Sequence, residues 1–358
     1  MPGASAPEAD SVKTPVRHRV GSWLNWALMF EECVIGRRRI APARFCAPLA
    51  GYTHSAFRRL VAELGGCGAL WTEMLAARQI LNEDFRSSPW LRRDPREGLV
   101  FFQLMARAGD PLDRILDRLG EHGVEAVDLN LACNARSVRA CESGSALFEN
   151  LAALSQVLAD ARRHWPGLLT AKIRLGRQHL EWQARFVDRI RLLSDSGIDG
   201  IILHPRFFEE RFKRRARHEL LPWVASLTHL PVVANGDLAG PEQAQSLADH
   251  LRSASAIMIG RMAIVRPWIF AAWDRPATIN PSSVWHAMFA GIVADFPAAV
   301  ALRRIKMFTK YFAANFLFHH QFYVDVSNAP TLDEVLRRAA DFLSRAPAWV
   351  ESPSVAGL

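Results

Sequence analysis

The chain has 358 residues, which is long for one ordinary domain and short for three. Half of the residues are hydrophobic and 22% are charged, so the chain can bury a sizeable core. The net charge of +8 favours a polyanionic partner, although many basic proteins bind none.

The cysteines and the apolar runs argue against two classes of protein. The 5 cysteines form neither a CxxC pair nor a cluster with histidine, so we expect no metal site. An odd count without regular spacing is typical of a reducing compartment, and we expect a cytoplasmic protein. No apolar run approaches the roughly 18 residues that cross a bilayer, so we expect no membrane partner.

The amino-terminal segment is polar and rich in proline and alanine. Its one apolar stretch, residues 21–30, is too short for a membrane span and is followed by no convincing signal-peptide cleavage site. We therefore predict a loose extension over residues 1–40.

From residue 44 onward, short apolar runs alternate with longer amphipathic stretches. The runs are rich in Val, Ile, Leu or Phe, as expected of strands that are buried on both faces of a parallel sheet. The predicted strands cover residues 44–49, 69–74, 99–104, 126–131, 169–173, 200–203, 231–234 and 256–259. Helical periodicity covers residues 54–64, 111–122, 151–164, 180–196, 218–227 and 241–252. Eight such units predict an α/β fold, a (β/α)8 TIM barrel over residues 41–275.

The pattern changes after Pro276. Residues 282–296, 299–316 and 332–345 are helical by periodicity, and we predict no strand between them. Prolines punctuate the segment. We predict a small all-helical domain over residues 276–358.

Polar residues concentrate just after the predicted strands, where a barrel places its active site. Asn235-Gly236-Asp237 follows the seventh strand and Gly260-Arg261 follows the eighth. In many barrels a phosphate lies between these two loops, because glycine allows close approach of backbone N–H groups and arginine adds a bidentate charge. The loops predict a phosphate-bearing cofactor, although each alone also fits an ordinary glycine turn.

Three other strand ends carry side chains that suit redox or acid–base chemistry. Lys172 can stabilise negative charge on a reduced flavin or an enolate, and His204 can hydrogen-bond the ring or the phosphate. Cys133 follows the fourth strand on the same rim. Each has a structural alternative, which is a rim ion pair for Lys172, a hydrogen-bonded core histidine for His204 and a small apolar filler for Cys133.

A basic stretch follows the sixth strand. Residues 209–217 are rich in arginine, and Phe207, Phe208 and Phe212 are interleaved with the charges. Basic groups attract phosphates, and aromatic rings can stack on bases. The stretch predicts a nucleic-acid-binding edge of the active-site face, and a solvated run of charge is the alternative.

Several segments carry a recognisable set of motifs. They are residues 47–59 (APLAGYTHSAFRR), Thr72-Glu73-Met74, Gln103-Leu104, Lys172-Ile173-Arg174-Leu175-Gly176, Asn235-Gly236-Asp237, Gly260-Arg261 and Pro267-Trp268-Ile269-Phe270. Cys133 is followed at a suitable spacing by Gly144-Ser145-Ala146-Leu147. In this order, from about residue 44 to 271, the set resembles the dihydrouridine synthases. The likeness continues weakly at residues 307–312.

The resemblance implies an enzyme that binds FMN and uses NADPH to reduce a specific uridine in tRNA, or another structured RNA, to 5,6-dihydrouridine. It assigns Cys133 as the general acid. The implied cofactor-binding residues are Pro48, Leu49, Ala50, Gln103, Lys172, His204, Asn235, Gly236, Asp237, Gly260 and Arg261. Asn130 and Arg174 fall at positions expected to face the uracil, and the basic residues that complete the expected substrate-binding set are Arg206, Arg211, Arg214 and Arg215.

Hydride addition at C6 of uracil moves negative charge toward the C4 carbonyl. Asn130, Lys172 and Arg174 are placed to stabilise that charge, and Cys133 to protonate C5. The helical domain is expected to bind RNA. No GxGxxG follows a strand, so we expect no separate domain for NADPH, and we expect a monomer.

The sequence departs from the family pattern at several positions. Ala132 and Asn134 stand beside the cysteine where the family usually has Gly and Pro, Glu142 replaces a loop glycine, and Pro205 replaces a glycine after strand six. These changes leave the target uridine and the class of RNA open. The alternatives are the same chemistry on ribosomal RNA, an FMN barrel acting on a small pyrimidine or enone, and a non-catalytic RNA-binding relative.

Overall fold

The computed structural model describes residues 28–210, 212–273 and 278–355. A short antiparallel hairpin of β1 (Cys33–Ile35) and β2 (Arg38–Ile40) precedes the barrel. Its turn residue Gly36 has φ +58° and lies against Asp199, where a Cβ would come within 2.7 Å of Oδ1. The prediction of a loose extension is therefore wrong for residues 33–40, because the hairpin packs on the amino-terminal end of the barrel. Residues 1–27 lie outside the described range.

Nine short strands form a single parallel sheet. They are β3 (Arg44–Cys46), β4 (Leu70–Trp71), β5 (Leu75–Ala76), β6 (Val100–Met105), β7 (Ala126–Leu131), β8 (Leu168–Arg174), β9 (Gly200–His204), β10 (Val232–Asn235) and β11 (Ala256–Ile259). The order is β3-β11-β10-β9-β8-β7-β6-β4, and β5 continues the β4 position by pairing with β6. A parallel bridge between Phe45 and Ala69 joins the two edges of the sheet. The predicted (β/α)8 barrel is confirmed.

Helices surround the barrel, with apolar faces turned to the sheet. They are α1 (Ser55–Leu64), α2 (Leu112–Glu121), α3 (Arg136–Ala140), α4 (Ser145–Glu149), α5 (Leu151–His164), α6 (Trp182–Asp195), α7 (Leu221–Ser226), α8 (Pro241–Ser246), α9 (Ala248–Leu251) and α10 (Arg261–Val265). After β5 the connection is made by short 3₁₀ turns at Ala77–Leu81 and Pro95–Glu97, which fits its irregular sequence.

Four helices follow the barrel: α11 (Pro281–Asp295), α12 (Ala298–Phe312), α13 (His319–Ser327) and α14 (Leu332–Leu343). Aromatic rings form their core, with Phe322 stacked on Phe342 at 4.5 Å between ring centroids. The sequence pattern predicts no helix at the position of α13. The predicted boundary near residue 276 falls in 274–277, outside the described residues. No helix in the described part of the chain is long and apolar enough to cross a membrane.

Polar contacts fix the helical segment to the barrel, among them those of Asp295 and Arg304. Asp295 of α11 accepts hydrogen bonds from Ser55 and Arg59 of α1. Arg304 of α12 donates to Glu73, which follows β4, over 2.9 Å, and both side chains are nearly buried. The second contact places α12 beside the carboxyl end of the barrel.

Candidate active site

A cavity of about 1260 Å³ opens at the carboxyl end of the barrel. Typical small-molecule pockets measure about 300–1,000 Å³, so this one has room for a large ring and a second group beside it. The predicted site residues that line it are Pro48, Leu49, Gln103, Asn130, Cys133, Lys172, Arg174, His204, Arg206, Arg214, Arg215, Asn235, Gly236, Asp237, Gly260 and Arg261. Ala50 is exposed and is not among the lining residues. Arg211 lies outside the described residues.

Strand register explains why these side chains meet. Gln103 of β6 lies opposite Asp128 of β7, Asn130 lies opposite Lys172 of β8, and Arg174 lies opposite His204 of β9. In a strand, residues two apart point to the same face. Asp128 and Asn130, like Lys172 and Arg174, therefore stack upward from the interior to the mouth of the barrel.

A buried hydrogen-bond relay lies below the mouth. Thr170 Oγ1 and Gln103 Nε2 both donate to Asp128, each over 2.7 Å. Gln103 Oε1 then accepts from Asn130 Nδ2 over 2.8 Å. Burial raises the pKa of Asp128 to about 6, although its hydrogen bonds oppose the shift. Because the carboxylate accepts on both sides, it sets the orientation of the Gln103 amide and, through it, of Asn130.

The loop that carries Cys133 is tied to its surroundings on both sides. Asn130 Oδ1 accepts the backbone N–H of Cys133 over 2.9 Å. Asn134 donates to the carbonyl of Phe208 over 3.1 Å and accepts from Ser145 Oγ over 3.0 Å. Asn134 thus links the loop after β7 to the loop after β9, a contact that proline at this position could not make.

Glu142 shows why a glycine is expected in this loop. Its φ is +55°, in the left-handed region that glycine adopts most easily. The next loop glycine, Gly144, has φ +61°, and a Cβ there would lie 2.6 Å from the Cys133 carbonyl. The departure from the family pattern at Glu142 therefore changes the residue and keeps the glycine-like conformation.

Lys172 and Arg174 give the cavity a positive wall beside Cys133. Burial and the neighbouring Arg174 lower the pKa of Lys172 to about 8, while Asp128 and Cys133 act in the opposite direction. Burial also lowers the pKa of Arg174 to about 10, with Arg206 contributing. The wall therefore carries positive charge at neutral pH, with Lys172 close enough to its pKa to titrate under mildly alkaline conditions.

A second group of charged residues lines the cavity, at the carboxyl end of β9 and on the loops after β10 and β11. Asp237 accepts from Arg206 Nη2 over 2.5 Å, and its carboxylate lies 3.7 Å from Arg261 Nη2. Arg206 Nη1 lies 2.9 Å from His204 Nε2. Because arginine only donates, His204 Nε2 is the acceptor and the ring is neutral, as expected from the lowered pKa that burial imposes. Asp237 thus holds two cations, and its carboxylate faces them.

Gly236 is needed for the close packing of this cluster. Its φ is +111°, and a Cβ would lie 2.7 Å from His204 Cδ2. Asn235 donates to the carbonyl of Met258 over 2.8 Å, which joins β10 to β11 at the mouth. The two loops predicted to form an anion site are therefore adjacent.

The basic stretch after β9 is only partly as predicted. Phe207 and Phe208 are buried, since Phe207 packs on Trp182 and Phe208 on Phe148, so the prediction that they stack on bases is wrong. Phe212 is 54% exposed, and its ring lies 4.4 Å from the Arg261 guanidinium. Arg214 and Arg215 are exposed and line the cavity.

Three features of the site are not predicted from the sequence. Asp128 lies inside a strand, where a lone acid among apolar residues was the available signal. The buried pair of Glu73 with Arg304 joins residues 231 positions apart, and no local pattern indicates it. The third is the carboxyl-terminal tail, of which Pro353 and Val355 line the cavity. No cluster of three or more potential metal ligands occurs in the described ranges.

Solved structures share the fold of this chain. Histamine dehydrogenase from Rhizobium sp. 4-9 aligns with a TM-score of 0.53 and 15% identity, over 74% of this chain and 51% of that one. The old yellow enzyme from Trypanosoma cruzi aligns with a TM-score of 0.52 and 11% identity, over 76% of this chain and 99% of that one. At such identities the likeness establishes the fold, a (β/α)8 barrel, and no more.

The sequence identifies the family within that class. The profile of the family "Dihydrouridine synthase (Dus)" matches residues 45–332, and the chain belongs to this family. It is 29% identical to tRNA-dihydrouridine synthase B of Shewanella oneidensis over 239 residues, which is 66% of this chain and 72% of the relative. It is also 29% identical to tRNA-dihydrouridine synthase B of Proteus vulgaris over 241 residues, with the same coverage. The resemblance found in the sequence is confirmed.

Proposed function

We propose that this chain reduces a uridine of tRNA to 5,6-dihydrouridine, with NADPH as electron donor and Cys133 as the proton donor. Membership of the dihydrouridine synthase family supports the reaction. The single observation that carries the residue assignments is that Cys133, Asn130, Lys172 and Arg174 line one cavity together with the cluster of Asp237 and its arginines.

The cavity fits FMN, the cofactor of this family. Cations from two loops, Arg206 and Arg261, lie where a phosphate would be held, and Asp237 neutralises only part of their charge. Gln103 and Lys172 add polar lining to the cavity, and Pro48 and Leu49 add apolar lining. This donor set matches a phosphate joined to a flat, hydrogen-bonding ring.

When bound, FMN supplies the hydride for C6 of uracil. The chain's own residues stabilise the negative charge that develops on the uracil and supply the proton for C5. Lys172 and Arg174 offer positive charge, and Asn130 an amide N–H, to the carbonyl oxygen on which negative charge develops. Cys133, held by Asn130 at its backbone N–H, gives the proton to C5 as a general acid. Asn130 thus ties the proton donor and the uracil site to the same relay.

Two basic surfaces are proposed to hold the RNA. The first is the exposed pair Arg214 and Arg215 at the cavity mouth. The second is a cavity of about 570 Å³ on the helical segment, where Arg303, Lys306 and Lys310 follow one face of α12. Tyr52 and Tyr323 border it, and no carboxylate lines it. None of these three cations has an ion-pair partner among the residues that the structure describes, so each is available to a phosphate.

We expect bound RNA to contact both surfaces. Tyr52 belongs to the loop after β3, which also carries Pro48 and Leu49 of the larger cavity, so the two cavities share that loop. Placing uracil over a flavin requires the base to leave its stack, at a cost of about a few kcal/mol, and backbone contacts on both sides can offset that cost. We propose that the chain acts as a monomer in the cytoplasm, where folded tRNA is available.

The test is reconstitution with defined RNA. The purified protein should carry a flavin absorbance spectrum and, with NADPH, should form dihydrouridine in an unmodified tRNA transcript, as measured by mass spectrometry of the digested RNA. Ribosomal RNA, free uridine and a simple enone serve as parallel substrates. Turnover of one of these without turnover of tRNA would overturn the proposed substrate, and a protein free of flavin would overturn the proposed reaction.

A further inference from the structure

The carboxyl-terminal tail runs back from α14 to the mouth of the barrel. Two backbone hydrogen bonds pin it to the turn after α12, since Leu317 donates to Ala348 over 3.0 Å and Val350 donates to Asn315 over 2.8 Å. These bonds fix the chain path seven residues after α14 ends.

Trp349 anchors the same stretch through its side chain. Its ring lies 5.7 Å from the rings of Trp268 and Phe316. Arg266 covers the ring at 5.5 Å and donates from Nη2 to the carbonyl of Val350 over 2.6 Å. The tail is therefore held on the barrel as well as on the helices.

Beyond this anchor the tail enters the wall of the large cavity. Pro353, Ser354 and Val355 line it next to the loops after β10 and β11. The carbonyl of Val355 accepts a hydrogen bond from Arg261 Nη1 over 3.2 Å. Arg261 is also 3.7 Å from Asp237 and 4.4 Å from the Phe212 ring, so three segments of chain hold one guanidinium.

We propose that residues 353–355 are part of the cofactor site, where they hold Arg261 and close the phosphate end of the cavity over bound FMN. The inference rests on the proposed function. These residues lie beyond the segment 45–332 that matches the family, so the closure is an addition to the matched barrel and helices.

The chemistry of the contact favours retention of the cofactor over competition with it. A guanidinium has five N–H donors, and a single carbonyl occupies one of them. The carbonyl is neutral, so it orients Arg261 without cancelling the charge that attracts a phosphate. Asp237 lies 3.7 Å from the other terminal nitrogen, Nη2, so the two contacts involve different nitrogens and leave other donors of the group for a phosphate.

The experiment compares two truncations of the full chain. One ends at Gly357 and keeps Val355 in a peptide bond, with the carbonyl that accepts from Arg261, and the other ends at Glu351 and keeps the Trp349 anchor while it removes the cavity wall. Both are purified with FMN, and the rate of FMN release is followed by the recovery of flavin fluorescence after dilution. We expect the chain that ends at Glu351 to release FMN about tenfold faster, as loss of one hydrogen bond to a charged group predicts, and the chain that ends at Gly357 to match the full chain.

A second variant tests the position of the tail and not only its presence. Two glycines inserted after Ser352 keep every residue but shift Pro353 and Val355 away from Arg261, and release should again be faster. Equal release rates in the full chain and in the chain that ends at Glu351 would overturn the inference. Slower release would overturn it too, since the tail would then compete with the phosphate. A full chain without flavin would remove the proposed function itself, which separates the two failures.

Discussion

Asn130 Oδ1 accepts a hydrogen bond from the backbone N–H of Cys133 over 2.9 Å, so the carboxyl end of β7 fixes the start of the loop that carries the thiol. Because this bond holds the backbone and not the thiol, we expect that replacing the thiol removes proton donation and leaves cofactor binding in place. The structure places no other cysteine in the cavity wall among its lining residues.

We expect Cys133→Ala to keep bound FMN and to lose dihydrouridine formation by roughly 10²–10⁴-fold, the usual contribution of a general acid. Mass spectrometry of a tRNA transcript after a single turnover measures the loss. Cys141→Ala is the matched control, because Cys141 is exposed in the same loop and should be dispensable. Full activity of Cys133→Ala would refute its role as proton donor.

The relay below the mouth predicts a role for Asp128 in orientation. In Asp128→Asn, an amide N–H must face either Gln103 Nε2 or Thr170 Oγ1, so one buried donor loses its acceptor, at a cost of about 1–3 kcal/mol in unfolding free energy. Rotation of the Gln103 amide would also take the acceptor from Asn130. We expect lower stability in urea and slower turnover.

Thr170→Val is the control for this relay, since it removes one hydroxyl donor and leaves the Gln103 amide in place. It should lower stability without slowing turnover to the same degree. Equal effects of the two substitutions on turnover would show that Asp128 supports the fold and does not orient the site.

Lys172 predicts a pH dependence. Burial and Arg174 lower its pKa to about 8, so its positive charge is present below that pH and is lost as the pH rises through it. The single-turnover rate should therefore fall above about pH 8, well before an ordinary lysine titrates. Arg174→Gln removes a cation that lowers this pKa, so the midpoint of the fall should move to higher pH even if the rate is lower throughout.

Replacement of Asp128 is expected to shift the pKa of Lys172 in the opposite direction. Asp128 raises the pKa of Lys172, so Asp128→Asn should move the midpoint to lower pH. Rates that do not change between about pH 7 and 10 in all three proteins would exclude Lys172 as the source of charge stabilisation.

The basic surfaces predict a salt-dependent loss of RNA affinity on charge reversal. Arg214→Glu with Arg215→Glu, and separately Lys306→Glu with Lys310→Glu, should weaken tRNA binding and lower the slope of log affinity against log salt by about 1–2, with the flavin retained. Fluorescence anisotropy across a salt series measures both quantities.

Arg163→Glu with Arg252→Glu is the matched control, because it makes the same change in net charge at the amino-terminal end of the barrel. Both arginines are exposed, Arg163 in the last turn of α5 and Arg252 directly after α9. Binding that weakens equally in all three double variants would reduce the effect to net charge and would contradict a defined RNA surface.

Much of the barrel can be predicted from the sequence, because strands buried on both faces are continuous apolar runs that need no partner to be recognised. The site loops follow from the same observation, since polar residues after such runs must meet at one end. The hairpin of β1 and β2 was missed because its strands have only three residues each and half-exposed patterns. The α13 helix carries little amphipathic periodicity, with only Phe322 and Val326 buried.

The sequence does not show which side chains contact one another. Phe207 and Phe212 look alike in the basic stretch, yet one is packed on Trp182 and the other is exposed. Asp237 looks like a ligand for the cofactor, and the structure turns its carboxylate onto two arginines. These outcomes depend on contacts between loops far apart in the chain.

Glu73 accepts the backbone N–H of Gly51 on one oxygen, over 2.6 Å, and Arg304 on the other, over 2.9 Å. One carboxylate therefore ties the loop that borders the larger cavity to the helix that carries Arg303, Lys306 and Lys310. We therefore expect an RNA strand that binds α12 to act, through Glu73, on the position of that loop. Occupancy of the helical surface would in that way influence the geometry of the cavity mouth.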